Sequence, residues 1–155
     1  GAVLIASGSV HMPAYPPAMR LGIATVVLAS RVAARVLGYF PGDRIGFGGR
    51  EAAGVMRDWA HVARTGRYQP QGSTVDYEGA LAQLEKPVLA INFAADTWSP
   101  ATAARALLDK LPPQSAEHWR WSAKDTANIA LDHYSWLKNA PLIAPAVAQY
   151  LERKK

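Results

Sequence analysis

A parallel-sheet α/β fold is predicted for this 155-residue chain by two patterns. The first is the segment Lys86–Pro100, KPVLAINFAADTWSP, in which an apolar run from Val88 to Phe93 is enclosed by Pro87 on one side and Ala94-Ala95-Asp96 on the other. A short, unbroken apolar run between breakers suits a strand buried on both faces of a parallel sheet, where an alternating run would indicate one solvated face. The second is the order of elements: strand, helical stretch, strand, helix, strand, helix, which predicts right-handed crossovers between parallel strands.

Each element has its own local reason. Residues 2–7 read as a buried strand, and three prolines in His11–Pro17 then forbid any regular continuation. From Ala18 to about Leu37 an apolar helical pattern carries Arg20, Arg31 and Arg35, and Gly38 to Asp43 ends it, with Gly46 to Gly49 reading as a loose loop. A helix from about Glu51 to Thr65 follows, its buried face expected at Val55, Met56, Trp59, Val62 and Ala63 and its C-cap at Gly66. Residues 67–85 read as loop with a short helical turn, and the strand Val88–Phe93 comes next. Ser99 is placed to cap the next helix and Pro100 to occupy its first turn, where a missing N–H costs nothing. Its stripe is Ala104, Leu107, Leu108 and Leu111, and Pro112-Pro113 stop it. The alternation AEHWRWS at 116–122 predicts a third strand nearer a sheet edge. The last helix is expected from near Pro141, burying Ile143, Ala146, Val147, Tyr150 and Leu151.

Composition narrows the chemistry. Half of the residues are hydrophobic, enough for a packed core in one domain. The chain has no cysteine, which excludes disulfides, thiolate zinc sites and thiol catalysis. The longest apolar stretch, around Leu21–Ala29, is too short to span a bilayer. The net charge of +5 resides in residues 20–67, where eight arginines face Asp43, Glu51 and Asp58, while the remainder balances. These arginines are spread along predicted helices without interleaved aromatics, which reads as a solvated helix surface and not as a nucleic-acid groove.

Open α/β sheets place their chemistry beyond the carboxyl ends of the strands. Asp96 falls at such an end, and His133, in ALDHYSWL, follows the third strand. An acid preceding a histidine in this layout is the orienting pair of a Ser-His-Asp site. On position alone, Asp96 reads equally well as a helix-capping residue beside Ser99. Asp125 and Asp132 are rival acids, although Asp132 adjoins His133 and the two side chains would diverge. His11, His61 and His118 have no metal-ligand spacing and are read as structural, with His61 on the solvated side of its helix. No nucleophile is found: no serine stands in a G-x-S-x-G elbow, and Ser9 (SGSVH) and Ser73 (QGSTV) are the nearest misses.

Together these segments resemble the C-terminal half of the α/β-hydrolase fold, within a loosely characterised group of predicted hydrolases, over nearly the whole chain. Residues 2–7 resemble the strand beside the nucleophile strand, residues 13–66 occupy the place of the lid insertion, and residues 86–155 hold the acid-bearing and histidine-bearing parts. The resembled acid loop commonly has a glycine where Ala94 and Ala95 stand, and a glycine commonly precedes the histidine where Asp132 stands. Neither change removes a functional group.

The resemblance implies a single partial hydrolase domain over residues 1–155 of a longer serine hydrolase. It would cleave a small-molecule ester-like substrate through an acyl-enzyme, with Asp96 and His133 catalytic and no cofactor or metal. The serine would lie upstream of Gly1, in keeping with a chain that enters Ala2–Ala6 without a start methionine. The piece alone is expected to be inactive. Its strand at residues 2–7 would then pair with a second copy or with a companion N-terminal fragment. No nucleic-acid partner and no membrane span are expected, and the location is read as cytoplasmic. The alternative is a degenerate, non-catalytic hydrolase fold serving as a binding module.

Overall fold

The computed structural model describes residues 1–46 and 48–154. In chain order the elements are β1 (Ala2–Ile5), α1 (Pro17–Leu37), β2 (Tyr39–Pro41), β3 (Arg50–Ala52), α2 (Ala53–Thr65), α3 (Tyr77–Ala82), β4 (Val88–Phe93), α4 (Ala101–Leu108), β5 (Ala116–Trp121), α5 (Ser135–Lys138) and α6 (Ala144–Arg153), joined in places by single 3-10 turns. They form two compact units, one made of Gly1–Gly8 with Gly79–Lys155 and the other of Ser9–Glu78.

The first unit is a three-stranded parallel sheet in the order β1-β4-β5. Every residue of the central strand β4 is buried, the result expected of an apolar run covered on both faces. Strand alternation divides its side chains. Leu89, Ile91 and Phe93 pack with Ile143, Tyr150 and Leu131 under α6, while Val88 and Ala90 pack with Ala104, Leu108 and Leu111 of α4 and its C-terminal extension. Asn92, fully buried, falls on the α4 side of this alternation. Trp119 meets Tyr150 edge-on with ring centroids 5.7 Å apart, closing the α6 face. Burial pushes the Tyr150 hydroxyl pKa upward.

The second unit packs α1 against α2 through Val27, Ala60 and Ala63, with Val10, Met12, Ile23 and Trp59 around them. The antiparallel pair β2–β3 lies between the helices in sequence, and the Arg50 guanidinium stands 4.6 Å over the Tyr39 ring. Gly66 ends α2 with φ +68°, and its N–H donates to Val62 O at 2.8 Å. A Cβ there would come within 2.9 Å of the His11 ring, so both conformation and space favour glycine.

Several local expectations are revised. β2 falls where turn was expected, and β3 takes up Glu51 and Ala52, which were expected to open the helix that instead begins at Ala53, because three-residue strands are too short to show a period. β1 ends at Ile5, and the last helix begins at Ala144 after a 3-10 turn at Ala140–Leu142. Val55 and Leu151 are exposed, and Ala103 is buried in α4 while Leu107 is only half-buried. His61 is half-buried, with its Nε2 enclosed and unpartnered, and does not lie on a solvated face. Ser99 does not cap α4: Pro100 holds the N-cap position without a side-chain bond, and Ser99 is used differently.

Candidate active site

The acid loop grows directly out of β4. Ala94 N–H donates to Trp121 O at 2.8 Å, carrying the β4–β5 pairing one step past the strand, and Asp96 N–H closes a turn onto Phe93 O at 3.1 Å. This turn brings the Asp96 carboxylate to the carboxyl edge of the sheet with its side chain fully buried. Its Oδ1 accepts two backbone hydrogen bonds, from Trp98 N–H at 2.8 Å and Ser99 N–H at 2.9 Å. The other oxygen, Oδ2, lies 3.1 Å from His133 Nδ1. A carboxylate accepts only, so Nδ1 carries the proton in the neutral ring and the Nε2 lone pair is left available. Nε2 has no partner among the described residues, and the His133 side chain is 29% exposed. Tyr134 meets the imidazole edge-on at 4.9 Å, and the half-exposed Trp98 lies tilted at 6.4 Å.

The two rival acids are occupied elsewhere. The Asp125 carboxylate closes a turn by accepting from Ser122 N–H and Oγ at 2.7 and 2.9 Å, and these bonds, the backbone one foremost, lower its pKa. Asp132 Oδ1 closes the turn that leads into α5, accepting from Tyr134 N–H at 3.0 Å and Ser135 N–H at 2.8 Å, and the backbone bonds from Ser135 and Tyr134 lower its pKa. Asp132 makes no hydrogen bond to the adjacent His133.

A buried polar clamp supports the acid loop from below. Asn92 Nδ2 donates to Ser99 O at 2.9 Å and lies 3.3 Å from Ser99 Oγ, and Asn92 Oδ1 accepts from His118 Nε2 at 3.1 Å. Burial, with Arg105 and Arg120 nearby, lowers the His118 pKa and so favours the neutral ring. The residue whose backbone N–H holds Asp96 is therefore itself held at its carbonyl by β4. Sequence reasoning assigned Asn92 no role. The available signal was a lone amide inside an otherwise apolar buried run, since a buried polar group needs partners.

A cavity of about 290 Å³ opens beside these loops, lined by Phe93 and Trp121 at the strand ends and by Ala94, Ala95, Ala130 and Leu131. Neither Asp96 nor His133 lines it. Ser9, the nearest miss to a nucleophile, belongs to the second unit, where it is buried. Its Oγ accepts from His11 N–H at 3.3 Å and its carbonyl from Tyr15 Oη at 3.2 Å. These are the bonds of a structural serine.

No protein-family model and no curated protein matches the chain. Two solved structures from Mycobacterium tuberculosis do. One is described as "Putative non-heme bromoperoxidase BpoC", with a TM-score of 0.54 and 16% identity, covering 99% of this chain and 58% of that one. The other is Rv0554, with a TM-score of 0.52 and 16% identity, covering 99% of this chain and 57% of that one. The fold is that of the α/β hydrolases. The likeness covers nearly the whole of this chain, which spans under three-fifths of either neighbour's length.

Proposed function

We propose that this chain is part of a serine hydrolase that cleaves small-molecule ester-like bonds through an acyl-enzyme, with Asp96 and His133 as two of its three catalytic groups. The observation that carries the reading is the Asp96–His133 pair: a buried carboxylate held by two backbone N–H groups, bonded to Nδ1 of a histidine whose Nε2 is unpartnered. Asp96 fixes the tautomer and stabilises the imidazolium. Nε2 takes the proton from a serine hydroxyl as its oxygen attacks the carbonyl, then returns it to the leaving group. The serine and the oxyanion hole come from outside this chain. The hydrolase fold of the neighbours supports the reaction class, and the bromoperoxidase named in one of them is a property of that protein.

Two measurements on the isolated chain test this. Nitrogen-resolved NMR of His133 is expected to show the Nδ1–H tautomer, lost in Asp96→Ala, and a fluorophosphonate probe is expected to label no serine. A His133 ring protonated at Nε2 in the parent, or stoichiometric labelling of Ser9, would sink the assignment. A binding module built on a degenerate hydrolase fold would have no need of the Nδ1–H tautomer.

The sheet edge supplies a further expectation. β1 pairs with β4 on one side and with no strand of the described residues on the other. An unpaired edge of this kind is a template for another chain. The chain is expected to be recovered as a dimer, or with a companion N-terminal fragment, through residues 2–7. Light scattering that gives a monodisperse monomer at high concentration would exclude this pairing.

A further inference from the structure

We infer that the unit formed by Ser9–Glu78 docks on an anionic phospholipid surface through α1 and the groove between α1 and α2. This does not rest on the hydrolase reading. Arg31 and Arg35 of α1 and Arg57 and Arg64 of α2, far apart in sequence, converge on one groove of about 860 Å³ whose wall includes Leu28 and Val32. No carboxylate lines this groove, and none pairs with the four guanidiniums among the described residues. Arg57 donates to the Gln71 side chain and Arg64 to Ala60 O, while Arg31 and Arg35 have no such bond. α1 contains no acidic residue along its whole length.

The same helix carries a second apolar face. Leu21, Leu28, Val32 and Val36 are 72%, 65%, 56% and 74% exposed. Their spacing of seven, four and four residues puts them on one side of α1, opposite the buried Val27 and Ser30. Leu28 and Val32 belong to both this stripe and the groove wall, so the apolar face and the arginines form one continuous surface. An apolar face flanked by arginine is how a helix lies in the plane of a bilayer, with its side chains among the acyl chains and guanidiniums on the phosphates. Charge complementarity selects the lipid: four guanidiniums and no carboxylate require an anionic headgroup.

Flotation with vesicles of phosphatidylglycerol and phosphatidylcholine, against phosphatidylcholine alone, tests the inference. The chain is expected to float with the anionic vesicles, to be released by high salt, and to stay behind with the zwitterionic ones. R31Q/R35Q is expected to weaken binding about tenfold or more, and Leu28→Ser to weaken it as well. Both changes are at exposed positions, and circular dichroism verifies that each variant remains helical. The inference is overturned by equal binding to both vesicle types or to neither, or by undiminished binding of R31Q/R35Q. It is also overturned if α1 proves to be covered by a second copy, or if the longest protein encoded by the gene fails to bind where this chain does.

Discussion

Asn92→Leu is expected to destabilise the Gly1–Gly8 and Gly79–Lys155 unit by about 2–3 kcal/mol and to loosen the Asp96–His133 bond together with it. Leucine keeps the branched heavy-atom shape of asparagine but is bulkier, so some overpacking adds to the cost at a position that is completely buried on β4. What disappears is the amide. Ser99 O, now bonded at 2.9 Å, is left unsatisfied in a buried residue, and His118 Nε2 loses its acceptor. An abandoned buried acceptor costs its full desolvation, about 1–3 kcal/mol, which is more than the net value of the hydrogen bond when made. Ser99 N–H is also one of the two donors on Asp96 Oδ1, so freeing Ser99 frees the acid. Urea unfolding measures the first effect, and the Nδ1 proton signal of His133 in the still-folded variant measures the second. A variant within about 0.5 kcal/mol of the parent, with an unchanged His133 signal, would mean that the acid loop holds itself.

Gly8→Ala is expected to be comparably disruptive for a different reason. A Cβ at Gly8 would stand 2.5 Å from Ala103 C and 2.6 Å from Ala104 N, inside the backbone of α4. No rotamer change relieves a clash with main chain, so α4 must shift as a body, at a cost of about 1–3 kcal/mol or more. The shift would be felt at Ser99 and Pro100, which lead into α4. Gly22→Ala is the control: its Cβ meets nothing within 4 Å in the exposed part of α1, and alanine there is expected to gain about 0.5–1 kcal/mol. Thermal melts of the two variants should therefore move in opposite directions. A Gly8→Ala melt matching the parent would show that the loop after β1 can back away from α4.

Much of the architecture was legible because its signals are local. The run Val88–Phe93, the C-cap at Gly66 and the α1 periodicity each depend on a few adjacent residues, and burial, backbone geometry and side-chain period act within that range, whereas α4 ends at Leu108, short of the expected stop at Pro112-Pro113. The short β2–β3 pair escaped because three-residue strands owe their existence to each other and not to an internal pattern. The role of Ser99 was misjudged for a related reason. Serine before a helix is a good cap by local chemistry, yet a buried amide from β4 competed for it and a neighbouring carboxylate took its N–H.

The sequence by itself determined the α/β class, the parallel order of its strands, and the placement of Asp96 and His133 on loops that follow successive strands. Chain order and crossover handedness leave such residues only one edge of the sheet to occupy. Only the tertiary structure decided which acid meets the histidine, because Asp96, Asp125 and Asp132 differ little as letters and differ entirely in what their oxygens are bonded to. It also decided the meaning of the arginines. Positions 31, 35, 57 and 64 read as scattered charge along two helices until packing of α1 on α2 turns them toward one groove. Long-range contacts of this kind depend on helix rotation and interaxial packing, which are set by the whole buried surface and not by any single segment.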